Sequence, residues 1–360
     1  MNSRFNPEWL RIARQARLLS QSSLARASNL SQAHLSKIEN GLLEPTREVA
    51  ARLSSALNFP IDLFFGEDRV VGLPVSVHPM YRKRASVGKS RTDQVEAEIN
   101  IRLLHLRRLL KSIDFEPELK LPKLDLDKFS MGPEDAARMT RRVWGIPSGP
   151  LKDLVHVAER AGCIIMHSDF DGEAVDGLTV QAHGLPPCIL LNRNQPGDRQ
   201  RFTLAHELGH LIMHDLPSPD MEQEANAFAS ELLMPSVDIK RAFVGGVTIQ
   251  RLAELKPVWH VSMGALLYRA KTSRAITDNQ SSYLWRQMSS FGYRRAEPPE
   301  LAIDVEVPGV IHEIFRAHVE ELGYKMDELA KILCMYEDEI RSMYALLRHT
   351  DKKTTLHVVK

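Results

Sequence analysis

The 360-residue sequence is short of cysteine, of aromatic residues, of long apolar runs and of any excess of one charge. Its three cysteines are too few and too scattered for a disulfide framework or a cysteine-rich zinc site. The first fifteen residues contain no apolar core of signal-peptide length, and no run approaches the roughly 18 apolar residues that a transmembrane helix needs. Lys and Arg total 47 against 46 Asp and Glu, which excludes a uniformly basic coat but not a local basic face. These absences predict a protein of the reducing cytoplasm with no membrane partner.

The composition is that of a globular chain with aliphatic cores. Hydrophobic residues make up 43% of the sequence and aromatic residues only 6%, which favours an α+β, mostly helical fold. The length predicts two or three domains. Shifts in pattern and charge divide the chain into an all-α N-terminal domain (1–66), a basic linker with a helix (67–128), a mixed domain (129–240) and a helical accessory region (241–360).

The stretch LSQSSLARASNLSQAHLSKIENG has the pattern of two short helices joined by a tight turn. We expect helices over 21–27 and 31–40, with Ser20 and Ser31 as N-caps. Asn29 in the turn tolerates the left-handed backbone that such a turn demands. The core-facing positions are Leu24, Ala25, Leu30, Leu35 and Ile38.

The polar face of the second helix is a candidate reader of double-stranded DNA. The residues predicted to point outward are Gln32, His34, Ser36 and Lys37. The start of a recognition helix contacts base edges in the major groove, where Gln32 can pair with adenine. Gln21 and Lys37 suit phosphates, which fix register without reading sequence. The competing interpretation is a plain helical bundle with a solvated polar face.

Residues 69–111 carry ten Lys and Arg against three Asp and Glu. The segment YRKRASVGKSR is expected to be a flexible basic linker, leading into a helix with an apolar stripe. The stripe consists of Val95, Ile99, Leu103, Leu106 and Leu110. It can supply the interface of a homodimer, since helix–turn–helix proteins usually bind paired half-sites, or it can be buried against the following domain.

The mixed domain is predicted from alternating helical and strand patterns. Its expected elements are helices over 133–144, 151–161, 197–214 and 221–233, and strands over 163–168, 175–181 and 188–192.

The strongest chemical signal is His206-Glu207-Leu208-Gly209-His210, which lies within the helical pattern of residues 197–214. Histidines at i and i+4 share one helix face, so both can bind a single Zn²⁺. Glu207 adjoins the first ligand, where its carboxylate can take a proton from a water that the metal activates. Gly209 permits close approach of a neighbouring backbone.

A catalytic zinc site needs a third protein ligand and one open position. The candidates are His214, Glu222 and Glu224. Because residues eight positions apart lie about 12 Å apart along a helix, His206 and His214 can hardly share one ion. A glutamate on the next antiparallel helix is the better donor, and we favour Glu222 over Glu224. Asn226, one turn after Glu222, is expected to orient a ligand by a hydrogen bond.

Two other interpretations of this constellation stay open. The two histidines can be structural residues with satisfied hydrogen bonds and no metal. Alternatively, the metal can serve sensing or structure alone. Two histidines and a glutamate around an open position suit Zn²⁺, although Mn²⁺ or Fe²⁺ can occupy such a site.

Three predicted helix pairs share a weak internal sequence repeat. The motif that begins at Leu24-Ala25 recurs at Leu252-Ala253 and at Leu329-Ala330 with apolar residues at the same later offsets. We interpret the two later pairs as helical packing units rather than as extra DNA readers, because any helix pair needs this spacing. The equivalent apolar positions are Val258, Met263 and Leu266 in the second pair, and Met335, Ile340 and Met343 in the third.

Taken together, these motifs resemble known families. Residues 8–66 resemble an Xre/Cro-type helix–turn–helix repressor domain. Residues from about 130 to 300 are similar to the ImmA/IrrE metallopeptidase family, through RVWGIPSGPLKDLVHVAERAG, VDGLTV, LNRNQPGDRQRFTLAHELGHLIMH, EQEANAFASELLMP and ELKPVWHVSMGALLYRA. The resemblance implies a minimal zincin, in which a small sheet backs the HExxH helix and the Glu helix. It also implies zinc ligands at His206, His210 and Glu222, with Glu207 as general base.

The resemblance implies a function for the whole chain. Members of this peptidase family cleave Xre-type repressors in stress or mobile-element responses. We therefore expect a DNA-binding transcriptional regulator with a zinc-dependent endopeptidase domain that cleaves a regulatory protein such as a repressor. Because regulator and peptidase share one chain, the substrate can be a partner repressor, a toxin–antitoxin partner or the protein itself. The alternative is a non-hydrolytic Xre-type repressor or antitoxin-like regulator whose zincin domain only senses metal or a partner.

Overall fold

The computed structural model describes residues 4–66, 68, 70, 89–126, 131–170, 175–216, 218–346 and 357–358. These residues form sixteen α-helices and five short strands, so the fold is α+β and mostly helical, as the sequence predicted. The helices are α1 (Pro7–Ala16), α2 (Gln21–Ala27), α3 (Gln32–Glu39), α4 (Arg47–Leu57), α5 (Lys89–Leu109), α6 (Pro133–Val143), α7 (Leu154–Arg160), α8 (Gly197–Met213), α9 (Met221–Leu233), α10 (Ser236–Ala242), α11 (Ile249–Trp259), α12 (Met263–Thr272), α13 (Asp278–Ser290), α14 (Val310–Arg316), α15 (Met326–Leu333) and α16 (Glu337–Tyr344). The strands are β1 (Ile113–Asp114), β2 (Ile164–Ser168), β3 (Gly177–Val180), β4 (Cys188–Asn192) and β5 (His357–Val358).

Local sequence signals explain where the first helices begin. The hydroxyls of Ser20, Ser31 and Thr46 accept hydrogen bonds from backbone N–H groups in the first turns of α2, α3 and α4. Both serine caps were predicted. No described helix is long and apolar enough to cross a membrane. Most of the predicted basic linker, residues 81–88, lies outside the described residues.

The chain forms two compact units. The first comprises Met1–Phe115, Val180–Leu185 and Val310–Lys360, and the second comprises Glu116–Thr179 and Pro186–Gly309. The accessory region expected over 241–360 is therefore divided, because its last 51 residues lie in the first unit and the others lie in the second.

In the first unit, α1–α4 surround a hydrophobic core that includes the predicted core-facing positions of α2 and α3. An ion pair between α1 and α3 adds to this packing. Arg14 Nε lies 2.6 Å from Glu39 Oε1, and Arg14 Nη2 donates to Glu39 Oε2 at 3.0 Å. The two parallel contacts fix the orientation of α3 against α1, because a bidentate guanidinium–carboxylate pair restricts both side chains.

The apolar stripe of α5 is buried inside the first unit. Val95, Ile99, Leu103 and Leu106 are at most 4% exposed, whereas Leu110, the last residue of the predicted stripe, follows the end of α5 and is half-buried. Helix α5 packs mainly against α1 and also against α15. The expected partner of this stripe was a dimer interface or the following domain, and the packing on α1 was not predicted. Because these side chains are covered within one chain, the predicted homodimer cannot use them without unfolding this packing.

The end of the first unit repeats the geometry of its helix–turn–helix. Helices α15 and α16 begin 305 positions after α2 and α3 respectively. The turns match as well, because Asn29 and Cys334, also 305 positions apart, have left-handed φ values of 54° and 51°. Leu329 and Ile340 are fully buried in the repeat, as Leu24 and Leu35 are in the motif. The predicted repeat at Leu329-Ala330 therefore has the same backbone geometry as the helix–turn–helix.

The second predicted repeat is also a helix pair, with Met263 and Leu266 fully buried, but Val258 departs from the prediction. Helix α11 continues to Trp259, and the left-handed residue of its turn is His260. Val258 therefore lies within the helix and is 52% exposed, instead of packing in the turn. The prediction fails at Val258 because α11 is longer than α2 and continues past this position.

The second unit contains a three-stranded sheet with the order β2-β4-β3. Strands β2 and β4 are parallel, in a register that pairs Ile164 with Cys188 and Ser168 with Asn192. Every residue of β3 and β4 is buried, and α8 packs against β4. Strand runs without polar alternation are typical of a sheet that is covered on both faces. The sheet thereby supports α8.

Helix α9 packs against α8 and α6. Its Glu231 is buried and forms ion pairs with Arg269 of α12 and with Arg138 of α6, the latter at 3.0 Å. Arg269 Nε also donates to the carbonyl oxygen of Met234 at 2.9 Å. These contacts satisfy a carboxylate that would otherwise be costly to bury, and they anchor the C-terminal end of α9.

Candidate metal centre and DNA-reading helix

The HExxH residues lie in the second half of α8, where the helix is buried on nearly every side. The one-turn spacing brings the two imidazoles together, with His206 Nε2 and His210 Nε2 3.0 Å apart. Burial lowers the pKa of His206 to about 4, with a further contribution from neighbouring His210. A neutral imidazole keeps the lone pair that a metal requires.

Glu222 reaches the same point from the first turn of α9. Its Oε1 lies 3.5 Å from His210 Nε2, and its Oε2 lies 3.7 Å from His206 Nε2. The two helices approach closely because Gly209 has no side chain. A Cβ at Gly209 would lie 3.2 Å from the Phe228 ring and 3.3 Å from the Cα of Ala225.

The three side chains suit a zinc ion. Their ligand atoms lie within 4.8 Å of one another. Tetrahedral zinc with bonds of about 2.0–2.1 Å separates its ligand atoms by about 3.3 Å, close to the distances observed between the two imidazoles and the carboxylate. In addition, Glu207 Oε1 is buried and accepts no hydrogen bond within the described part of the chain. A buried carboxylate oxygen with no donor is the feature expected beside a site that takes a cation and water.

Glu207 itself is fully buried beside the cluster. Burial raises the pKa of Glu207, whereas nearby His210 and a hydrogen bond from Thr179 oppose that shift. Thr179 Oγ1 donates to Glu207 Oε2 at 2.7 Å. Sequence reasoning missed Thr179, because the uniformly buried pattern of β3 does not distinguish the residue that faces α8.

The residues around the cluster hold the outer nitrogens of both histidines. Asn226 Oδ1 lies 3.1 Å from His206 Nδ1, so the amide oxygen can accept the proton that leaves Nε2 free for a metal. His214 Nδ1 lies 3.0 Å from His210 Nδ1, and His214 Nε2 lies 3.0 Å from Glu224 Oε2. The two candidates that sequence reasoning ranked below Glu222 as ligands therefore lie behind His210 rather than in the cluster.

The candidate DNA readers lie on α3 and at the start of α2. Gln32 and Lys37 are exposed, whereas Gln21, His34 and Ser36 are half-buried. Gln32 Nε2 donates to Gln21 Oε1 at 3.3 Å, which joins the two glutamines into one polar surface.

Two of these side chains form hydrogen bonds with residues at the C-terminal end of α3. Gln21 Nε2 donates to Glu39 Oε2 at 2.7 Å, and Glu39 is the partner of Arg14. Asn40 Nδ2 donates to the hydroxyl oxygen of Ser36 at 3.3 Å. The role of Glu39 in orienting Gln21 was not predicted, since no spacing in the sequence links residues 18 positions apart.

Comparison with known families identifies both regions. A helix–turn–helix family model matches residues 10–64, and a peptidase family model described as the IrrE N-terminal-like domain matches residues 158–271. The chain joins a helix–turn–helix domain to an IrrE-like peptidase domain. The IrrE-like match includes α8 and α9 and extends through α11 into α12, past the predicted boundary at residue 240. No curated protein matches the chain.

Proposed function

We propose that this chain is a DNA-binding transcriptional regulator whose IrrE-like domain is a zinc endopeptidase. The proposal rests on the convergence of His206, His210 and Glu222 beside the buried Oε1 of Glu207, which accepts no hydrogen bond from the residues that the structure describes. Its substrate would be a regulatory protein such as a repressor, cleaved in a stress or mobile-element response. Because DNA is the proposed partner, we expect the protein to act in the cytoplasm.

Each residue of the site has a chemical role in this proposal. His206, His210 and Glu222 would hold the ion, which when bound polarises water and the scissile carbonyl. Glu207 accepts the proton of the attacking water at Oε1 and then donates it to the leaving amine. Thr179 keeps the other carboxylate oxygen of Glu207 in place. Burial raises the pKa of Glu207, which favours a carboxylate that takes up a proton and later releases it.

Glu207→Gln tests the peptidase. The amide fills the same space but cannot take a proton, so zinc content should stay at one per chain while cleavage falls at least a hundred-fold. Zinc is measured by elemental analysis. Cleavage is measured on a proteome-derived peptide library by the appearance of new N-termini. Glu254→Gln, at a solvent-exposed glutamate of α11, is the control. Undiminished cleavage by the purified Glu207→Gln protein would refute the proposed role of Glu207.

The DNA-reading surface is tested separately. Gln32 is proposed to read a base, and Gln21 and Lys37 to contact phosphates, with His34 and Ser36 at the rim of the same surface. Gln32→Ala/Lys37→Ala should abolish sequence-specific binding to the chain's own promoter. Gln250→Ala/Lys271→Ala, at exposed positions of the peptidase domain, should bind as the wild type does. Equal promoter binding by both double variants would show that other residues read the DNA.

One observation favours a second function. His206 and His210 are only 8% and 5% exposed, although a peptide bond must reach the ion during hydrolysis. A non-hydrolytic regulator that senses metal or a partner through the same site needs no such access. Stoichiometric zinc with no new N-termini, together with promoter binding that changes when zinc is removed, would support the sensor and count against the peptidase.

A further inference from the structure

We infer that His214 and Glu224 form a relay that positions His210 for metal binding. The relay runs from the metal-facing imidazole through a second imidazole to a carboxylate. The inference rests on the proposed metal site, but not on hydrolysis. It assigns a role to two residues that sequence reasoning considered only as ligands.

The distances allow one arrangement of protons among neutral imidazoles. His210 Nε2 faces His206 Nε2 and Glu222 Oε1, which leaves Nδ1 as its outer nitrogen. A neutral imidazole has one donor and one acceptor. His210 therefore donates from Nδ1 to the Nδ1 lone pair of His214, and His214 donates from Nε2 to Glu224 Oε2. Any other arrangement of two neutral rings breaks one of these 3.0 Å contacts or removes the lone pair of His210 Nε2.

Local structure places both residues. His214 follows the last residue of α8 and leaves the helix with extended backbone angles, while its N–H still donates to the carbonyl oxygen of His210 at 3.1 Å. Its ring therefore stays one turn above that of His210. Glu224 lies in the first turn of α9, two residues after Glu222. The His214 side chain is 6% exposed and that of Glu224 is 29% exposed, so solvent competes little for the imidazole contact.

The two ligating histidines are supported by different chemistry. His206 is opposite the neutral amide of Asn226, whereas His210 is opposite an imidazole backed by a carboxylate. A carboxylate behind a ligating histidine fixes its tautomer and makes its metal-binding nitrogen more basic. The relay extends this effect across one additional ring. We therefore assign to it both the orientation of His210 and part of the zinc affinity.

The experiment measures zinc affinity by competition with a chromogenic chelator, using the full chain. His214→Leu should weaken zinc binding 10- to 100-fold, the usual effect of removing such a partner. His214→Asn should recover most of the affinity, because its side-chain oxygen can accept from His210 Nδ1 as the lost nitrogen did. Glu224→Gln keeps an acceptor but loses the charge, and should fall between the wild type and His214→Leu. Gln223→Ala, on the exposed side of the same turn, is the control.

Two further measurements distinguish the relay from a role in folding alone. If the relay acts on the metal site, the melting temperature of the zinc-free protein should be the same for Glu224→Gln and Gln223→Ala. The visible spectrum of the Co²⁺-loaded protein should then shift in His214→Leu but not in Gln223→Ala. Wild-type zinc affinity in both His214→Leu and Glu224→Gln would overturn the relay. So would an affinity loss that His214→Asn does not recover.

The zinc titration and the cleavage assay together separate this inference from the proposed peptidase. Zinc binding that depends on His214 without any cleavage would contradict hydrolysis and leave the relay intact. Absence of zinc binding in the wild type would overturn both.

Discussion

The two carboxylate oxygens of Glu207 have unlike surroundings. Oε2 accepts a hydrogen bond from Thr179, whereas Oε1 is buried and accepts none within the described residues. A general base must present one oxygen to its substrate in a fixed direction, and hydrogen bonding of the other oxygen by Thr179 restrains the carboxylate. Thr179 therefore belongs to the peptidase hypothesis as a positioning residue.

Replacing Thr179 by Val tests that role. The variant keeps the volume of the side chain but removes the hydroxyl that donates to Glu207 Oε2. Hydrogen bonds to charged groups are worth about 1.5–3 kcal/mol, so kcat/KM should fall about ten-fold to a hundred-fold. Zinc content should not change, and Thr179→Ser, which restores the hydroxyl, should recover activity. The prediction fails if Val at this position is as active as Thr.

At the scale of elements, the candidate metal centre depends on how closely α8 and α9 pack. His206 and His210 share one helix, but Glu222 belongs to the other, and Gly209 sets the separation. A side chain at that position meets Phe228 and the backbone of Ala225. Moving the helices apart should therefore weaken the metal centre more than it harms the rest of the unit.

Gly209→Val is the corresponding prediction. Overpacking of a filled contact typically costs about 1–3 kcal/mol, and the unfolding free energy should fall by that amount in urea titrations. Zinc affinity should fall more than ten-fold, because Glu222 moves away from both imidazoles. Ala253→Val, on the half-buried side of α11, provides a control for added volume elsewhere. Wild-type zinc affinity in Gly209→Val would show that helix separation does not control the site.

At the scale of the whole molecule, the first unit is assembled from both ends of the described chain. Arg17 Nη2 lies 2.7 Å from Glu339 Oε1, and Asn58 Nδ2 donates to the same oxygen at 3.0 Å. His105 Nδ1 lies 2.8 Å from the hydroxyl of Tyr344. The helix–turn–helix at residues 10–64 thus contacts its own structural repeat. That repeat begins its second helix with Glu337, Asp338 and Glu339, a charge pattern unsuited to phosphates.

The buried His105 makes the stability of this unit depend on pH. Burial, with the positive charges of Arg102 and Arg108, lowers the pKa of His105 to about 3 from the ordinary value of 6.5. The unfolded chain then binds the proton more readily than the folded one, so stability falls as the pH drops below about 6.5. Between pH 7 and pH 5 this residue alone should remove about 2 kcal/mol from the unfolding free energy.

Urea titrations at both pH values measure this contribution. His105→Gln should lose about 2 kcal/mol less than the wild type between pH 7 and pH 5. His183→Gln, at an exposed histidine, should follow the wild type. Equal losses in the wild type and in His105→Gln would contradict the assigned cause.

Much of the local architecture could be predicted from the sequence. The predicted helix over 221–233 and the predicted strand over 188–192 have the observed bounds, and the caps at Ser20 and Ser31 are present. The predicted helix over 151–161 is shorter, running from 154 to 160. These successes have one cause, since apolar periodicity, caps and helix breakers act between residues a few positions apart.

The partners of the elements could not be predicted in the same way. The stripe on α5 was expected to face another molecule or the following domain, yet it packs on α1. Its apolar residues indicate that the stripe must be buried, but burial is non-directional and does not identify the covering surface.

By itself, the sequence determined the helix that carries His206 and His210, and the turn that begins at Ser28, because hydrogen bonding and side-chain periodicity within one element are local. Only the tertiary structure decided that Glu222 meets the two imidazoles while Glu224 meets His214. It also decided that Thr179 reaches Glu207 from a strand 28 positions away. Such side-chain contacts depend on the packing of elements that are distant along the chain. A shift of one helical turn there would exchange one partner for another.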